Sequence, residues 1–195
     1  EIGSLYIPGP SDDIFIDNAI ANIQQQSGMY AEVTVALLQQ MKKLNEKLAR
    51  QFSVVIANPP YMPVSSMEPW AKKWVEQHYP NSKEDVCTCF IERGFEFADS
   101  ESFLAMVTMH SWMSLKRYQN LRMDLFAKRT ISSLAHLGSK AFEAIGGEVV
   151  QTVAFVFESI PSDEPGVFIR LVDVKDVEAK RRHLSEAARN RDSAI

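Results

Sequence analysis

One short segment of the chain brings together groups that can act on a planar amine. It reads Asn58-Pro59-Pro60-Tyr61 and follows the apolar run Phe52–Ala57. The side-chain carbonyl of Asn58 and the backbone carbonyl of Pro59 can both accept hydrogen bonds from one NH2 group. An amine whose lone pair is delocalised into a ring is a poor nucleophile, and two such acceptors improve it. The same carbonyl dipoles stabilise positive charge that develops on the nitrogen.

The other two residues of the segment suit the same chemistry. Proline fixes φ at about −65° and has no N–H, so the two prolines make the turn rigid and add no donor that competes for the carbonyl acceptors. Tyr61 offers a flat face against which a base can stack. Asn-Pro-Pro is also a plausible turn with no chemical role. A buried strand directly before it and an aromatic residue directly after it favour the interpretation as a site.

The sequence before the motif predicts helical structure. A short strand is expected around residues 3–7, and one long amphipathic helix over residues 19–50. Its apolar positions, spaced three and four residues apart, are Val33, Leu37, Met41, Leu44 and Leu48. Phe52–Ala57 is then a continuous apolar run with β-branched residues, which is typical of a buried strand in a parallel sheet.

Helices and strands alternate after the motif. Pro69 is expected to begin a short helix, and Asn81 or Ser82 to cap the next, which ends at about residue 98. Further helices are predicted at 115–129 and 175–192, and further strands at 103–108, 131–137, 149–157 and 167–172. This order predicts an α/β fold with a mixed sheet whose last strands are antiparallel.

Composition narrows the class of protein. The 195 residues carry a formal net charge of −4, which disfavours a chain that grips a nucleic-acid duplex by itself. The two cysteines, Cys87 and Cys89, are expected to be ordinary reduced thiols, and no metal site is expected. No signal peptide or membrane span is visible, so the predicted location is the cytoplasm.

The motif and its surroundings resemble a known family. The segment FSVVIANPPYM is similar to the fourth conserved motif of the γ-type N6-adenine DNA methyltransferases. The later segments EDVCTCFIERGFEF, ESFLAMVTMHSWM, HLGSKAFEAIGGEVVQTVAFVF and FIRLVDV follow in an order typical of one subgroup. That subgroup comprises the large adenine-specific methyltransferases of phage-growth-limitation and BREX phage-defence systems. Fused restriction–modification enzymes are close relatives.

The resemblance implies a fold, an activity and a set of site residues. The fold would be the C-terminal half of a Rossmann-like, S-adenosylmethionine-dependent methyltransferase. Asn58 and Pro59 would accept hydrogen bonds from the adenine amine, Pro60 would shape the turn beside the methyl donor, and Tyr61 would stack on the flipped adenine. Phe142 falls where the family places a second aromatic residue, although a buried loop anchor is an equally good interpretation. The implied partner is DNA, with other defence-system subunits and no membrane.

The family's cofactor motif is not found in the sequence. That motif is a glycine-rich loop after the first strand, whereas Gly146-Gly147 is the only glycine pair and precedes a late strand. The cofactor-binding residues therefore stay unassigned. We expect residues 1–174 to be the target-adenine half of a catalytic domain whose cofactor-binding half precedes Glu1. We expect residues 175–195 to be a charged helix leading to a further region.

Two alternatives remain open from the sequence. Methyltransferases that modify a glutamine side chain of translation release factors use a similar Asn-Pro-Pro-Tyr turn, because a carboxamide nitrogen poses the same chemical problem. The second alternative is a non-catalytic interaction module that keeps the methyltransferase fold. A comparison of methyl transfer to DNA and to protein distinguishes the first alternative from a DNA methyltransferase.

Overall fold

The computed structural model describes residues 2–25, 28–139 and 150–189. The described helices are α1 (Asp12–Gln24), α2 (Met29–Leu48), α3 (Pro69–His78), α4 (Val86–Glu96), α5 (Gln119–Lys128) and α6 (Val177–Arg189). The described strands are β1 (Phe52–Ala57), β2 (Ala98–Met109), β3 (Thr130–Gly138), β4 (Thr152–Glu158) and β5 (Val167–Arg170). These elements divide into two compact units, of which one is Ile2–Gln51 and the other begins at Phe52.

The first unit is a pair of helices, and it corrects two predictions. Residues 3–5 form a 3₁₀ turn instead of a strand. The predicted single helix over 19–50 is in fact two helices, because Gly28 at the start of α2 has φ of 139°, which no helix accommodates. Lys42 on α2 pairs with Asp17 on α1, with 2.7 Å between Nζ and Oδ1.

The second unit contains one mixed sheet, as the sequence predicts. The strands lie in the order β1-β2-β4-β3-β5. β1 is parallel to β2 and β3 is parallel to β5, while β4 is antiparallel to both of its neighbours. β1 is an edge strand of the described sheet, and its apolar side chains Val54 and Ile56 are 56% and 77% exposed.

Several boundaries differ from the predicted ones. β2 begins at Ala98, well before the predicted start at residue 103, because its early residues continue the ladder with β1. α4 begins at Val86 and is capped by Asp85, not by Asn81 or Ser82. Ser82 instead lies in the preceding turn, where its carbonyl accepts a hydrogen bond from the Thr88 hydroxyl at 2.6 Å.

One face of the sheet carries the hydrophobic core. Phe155 and Phe157 of β4 point to this face and pack edge-on against each other. Trp112 is fully buried there, and its indole N–H donates to Thr108 Oγ1 at 3.0 Å. The opposite face forms an open groove of about 920 Å³ that is lined in part by Ala154 and by Leu184 of α6.

Candidate functional site

The predicted catalytic segment lies where β1 ends. Ala57, the last residue of β1, is in register with Met106 of β2. Since the two strands are parallel, their carboxyl ends meet at one edge of the sheet, where sites of α/β proteins commonly form. Asn58 and Pro60 are exposed, whereas Pro59 is buried. The Asn58 side chain is thus accessible to a ligand and the turn beneath it is anchored.

Tyr61 is held in an unusual environment. The residue is half-buried, and its hydroxyl oxygen is buried with no hydrogen-bond partner among the described residues. Burial is the main reason that the pKa of Tyr61 is raised to about 12, with smaller contributions from Cys87 and Asp85. The phenol is therefore neutral at physiological pH, and its hydroxyl end is directed into the protein.

The chain that leaves Tyr61 is tied to the start of α4. The Val86 amide donates to the Met62 carbonyl at 2.9 Å, and the Val64 amide donates to the Glu84 carbonyl at 3.1 Å. Pro63 and Asp85 form an isolated antiparallel bridge between these bonds. The residues after the motif therefore form a short ladder with the residues that precede helix α4.

Asp85 belongs to this ladder and also caps helix α4. It is 3% exposed, and its Oδ1 accepts hydrogen bonds from the Cys87 amide at 2.9 Å and the Met62 amide at 3.3 Å. The first contact is typical of an aspartate that caps a helix. The second contact joins residues 23 positions apart, a distance over which capping patterns predict nothing.

A pair of histidines lies at the same edge of the sheet. His110 directly follows β2, and its ring stacks on that of His136 with centroids 5.3 Å apart. His110 Nδ1 lies 3.3 Å from the Gln151 carbonyl. His136 Nε2 is buried and has no partner among the described residues, and burial, followed by His110, lowers the pKa of His136.

Lys180 of α6 also differs from the sequence-based expectation. Residues 175–195 were expected to be a charged helix, yet Lys180 within it is only 6% exposed. Its ammonium group donates to the Leu137 carbonyl at 2.6 Å and also to the Ser139 carbonyl. Lys180 therefore fastens α6 to the end of β3. Phe142, the predicted second aromatic residue of the site, lies outside the described residues.

Three glycines of the second unit are closely surrounded by protein atoms. A backbone cradle for a ligand such as S-adenosylmethionine needs glycines that face open space. A Cβ added to Gly94 would lie 2.6 Å from Leu104, one added to Gly138 2.9 Å from Val172, and one added to Gly166 2.1 Å from the Ile131 carbonyl. These three glycines serve packing within the protein, so we assign no cofactor contact to them.

Residues 2–25, 28–139 and 150–189 contain no group of three or more His, Cys, Asp or Glu side chains placed to hold a metal ion. Cys87 and Cys89 are free and buried. Within the same ranges, no helix combines the length and apolar character that crossing a bilayer requires.

Comparisons with solved structures place the fold among restriction–modification enzymes. A nuclease-deletion mutant of the Type ISP enzyme LlaGI, in complex with a DNA substrate mimic, matches with a TM-score of 0.56 and 16% identity over 78% of this chain and 17% of that one. The Type IIL enzyme MmeI in complex with DNA matches with a TM-score of 0.51 and 20% identity, over 66% and 18% of the two chains. Both confirm the predicted type of fold.

Sequence comparisons give the family. The adenine-specific methyltransferase PglX of Lacticaseibacillus casei (strain Zhang) is 36% identical over 154 residues, which are 78% of this chain and 13% of the relative. The adenine-specific methyltransferase BrxX of Escherichia coli O9:H4 (strain HS) is 39% identical over 140 residues, 71% of this chain and 12% of the relative. The chain thus spans about an eighth of the length of these relatives. Residues 11–142 match the family of the Eco57I restriction-modification methylase, and the chain belongs to that family.

Proposed function

We propose that Asn58, Pro59, Pro60 and Tyr61 hold the target base in an enzyme that transfers a methyl group to N6 of adenine in DNA. Membership of a restriction–modification methylase family supports the reaction class. The position of Asn58 is the observation that carries the proposal: its side chain is exposed at the carboxyl end of β1, next to the half-buried Tyr61. A carbonyl acceptor and an aromatic ring are the groups that an adenine amine and its ring require.

The chemistry follows from the groups at this edge. The Asn58 side-chain carbonyl and the Pro59 backbone carbonyl accept the two hydrogens of the adenine amine. These bonds draw electron density toward the nitrogen, which becomes a better nucleophile. As positive charge develops on the nitrogen, the same two dipoles stabilise it. The rigid prolines hold the acceptors in place before the base arrives, so little reorganisation accompanies the reaction.

Tyr61 supplies the second half of base recognition. The target amine is inaccessible within a duplex, so the adenine must be flipped out of the stack before it can react. Its ring then needs a surface that replaces the lost stacking. Tyr61 is half-buried and its hydroxyl oxygen is buried, and we propose that the accessible part of the residue is a face of its ring. Phe142 is proposed as a second stacking residue.

The wider assignments are also proposals. The donor would be S-adenosylmethionine, bound in the intact gene product outside the described residues. Residues 1–174 would be the target-adenine half of the catalytic domain, and 175–195 a charged helix leading onward. DNA would be the substrate, and the names of the relatives PglX and BrxX support a role in phage defence beside other subunits.

The test is replacement of Asn58 in the intact gene product. Asn58→Ala should reduce methyl transfer to DNA at least about 100-fold, since one preorganised group at a developing charge contributes about 100- to 1,000-fold. DNA affinity should change less than about threefold. The matched control is Asn120→Ala, which removes an exposed asparagine from α5 and should leave turnover unchanged.

The same assay separates the two methylation substrates. Labelled S-adenosylmethionine is offered with adenine-containing DNA and, separately, with a protein substrate that carries an accessible glutamine. Label in DNA that digests to N6-methyladenine supports the proposal. Label in the protein alone, or undiminished DNA methylation by Asn58→Ala, overturns it.

A further inference from the structure

The carboxylate of Asp85 has a contact that helix capping does not require. A capping side chain bonds to an amide in the first turn of its own helix, and Oδ1 of Asp85 does so with Cys87 at 2.9 Å. The same oxygen also accepts from the Met62 amide at 3.3 Å. Asp85 is 3% exposed, so no bulk water competes for these bonds. One buried oxygen thus joins the helix to the residue that follows the catalytic motif.

The second donor, the Met62 amide, lies in the peptide group directly after Tyr61. The Met62 N–H belongs to the peptide group that it shares with the carbonyl of Tyr61, and that group is planar. A hydrogen bond to the N–H therefore fixes the orientation of the whole plane, which sets ψ of Tyr61. The next plane is fixed as well, because the Met62 carbonyl accepts from the Val86 amide at 2.9 Å.

The side chain of Tyr61 has no polar anchor of its own. Its hydroxyl is buried without a partner among the described residues, so no hydrogen bond there selects one ring orientation. The direction of the ring then depends on packing and on the backbone that carries it. The bond from Met62 to Asp85 is a side-chain contact to the peptide group that adjoins this backbone.

We propose that Asp85 is a positioning residue: its carboxylate orients the peptide between Tyr61 and Met62 and so holds the Tyr61 ring ready to stack on the flipped adenine. The inference rests on the proposed function of Tyr61 and adds Asp85 as the residue that orients the Tyr61 ring. Asp85 acts through Tyr61 and takes no part in proton transfer. A misplacement of about 1 Å at a reacting group can cost about 100-fold in rate, so the effect on turnover should be measurable.

Two substitutions separate positioning from capping. Asp85→Ser keeps a good capping oxygen but is one carbon shorter, so the reach to Met62 is lost. Asp85→Asn keeps a carbonyl oxygen at the same distance and can accept from both amides. The matched control is Asp176→Ala, which removes the carboxylate that accepts from the Ala179 amide at 2.7 Å at the start of α6.

The measurements use the intact gene product. For Asp85→Ser we expect a kcat lowered about 10- to 100-fold and a DNA affinity within about threefold of the parent. Fluorescence of 2-aminopurine placed at the target position should report less stacking of the flipped base. Asp85→Asn should restore kcat to within about threefold. Asp176→Ala should leave kcat and the fluorescence unchanged, although it removes a helix cap.

The outcomes are distinct for the two proposals. An Asp85→Ser protein that folds and turns over at the parental rate overturns the positioning role, as does an equal loss in Asp176→Ala. Hydrogen exchange of the peptide that spans residues 61–64 supplies a readout without turnover: exchange should be faster in Asp85→Ser and parental in Asp85→Asn. If exchange follows this pattern but neither the parent nor Asp85→Asn methylates DNA, the proposed function fails while the positioning contact stands.

Discussion

The rings of His110 and His136 stack at an interplanar angle of 18°, with their centroids 5.3 Å apart. His110 directly follows β2 and His136 lies in β3, so the pair joins two strands that are separated in the sheet by β4. Two imidazolium rings at this distance would repel each other.

The pair should make stability depend on pH. Burial, followed by the charges of His110, Arg170 and Lys180, lowers the pKa of His136 below its ordinary value of 6.5, while Gln151 acts in the opposite direction. At His136 the unfolded chain therefore binds a proton more readily than the folded chain does. The contribution of neutral His136 to the free energy of unfolding is complete above pH 6.5 and is lost as pH falls toward the lowered pKa. Urea unfolding between pH 5 and about 8 measures this loss.

The control for this dependence is another histidine. His136→Asn should flatten the fall in unfolding free energy below pH 6.5, because the titrating group is gone. His183→Asn removes an exposed histidine of α6 and should leave the profile unchanged. Profiles that remain parallel for His136→Asn and the parent would contradict the assignment.

The hydroxyl of Tyr61 should be dispensable, whereas its ring should not. Tyr61→Phe removes a buried oxygen that has no partner among the described residues, so the free energy of unfolding should rise by up to about 1 kcal/mol. Turnover in the intact gene product should stay within about twofold, since phenylalanine also stacks.

Tyr61→Ala tests the ring itself. Base–aromatic stacking contributes about 1–3 kcal/mol per base, so kcat/KM for DNA should fall about 5- to 150-fold. A Tyr61→Phe protein as impaired as Tyr61→Ala would show that the hydroxyl has a chemical role. Steady-state methylation and urea denaturation measure the two effects separately.

Lys180 should contribute strongly to stability. Lys180→Met keeps most of the aliphatic volume but leaves the Leu137 and Ser139 carbonyls without their donor. The loss of hydrogen bonds from a buried charged group should lower the free energy of unfolding by about 2–4 kcal/mol. Arg181→Met, at the exposed neighbouring position, should change it by less than about 0.5 kcal/mol. Similar losses in the two variants would argue against an anchoring role.

The 195-residue chain alone should bind S-adenosylmethionine weakly or not at all. The sequence lacks the glycine-rich loop of the family's cofactor site, and Gly94, Gly138 and Gly166 pack closely against protein atoms. Calorimetric titration of the isolated chain should therefore show no saturable heat, and the chain should not methylate DNA. Micromolar affinity would contradict the expectation and would point to contacts outside the described residues.

The local predictions that succeeded depend on neighbouring residues. Phe52–Ala57 is a strand as predicted, and the following prolines end it. Its predicted burial is wrong, because it lies at an edge of the described sheet with Val54 and Ile56 exposed. α3 begins at Pro69 as predicted, since a proline suits the first helical position. By contrast, the single helix predicted over 19–50 was wrong: Gly28 has φ of 139°, which breaks the helix, and the apolar positions behind the prediction all follow it.

The sequence by itself determined the chemical character of the site: an amide, two prolines and an aromatic ring at the end of an apolar strand, in an order typical of one family. Only the tertiary structure decided that Asp85 reaches Met62 across 23 residues, that His110 and His136 stack, and that Lys180 is buried. The physical reason is that periodicity and capping act over a few residues. Contacts between distant residues depend instead on strand order and register, which are set by packing of the sheet as a whole.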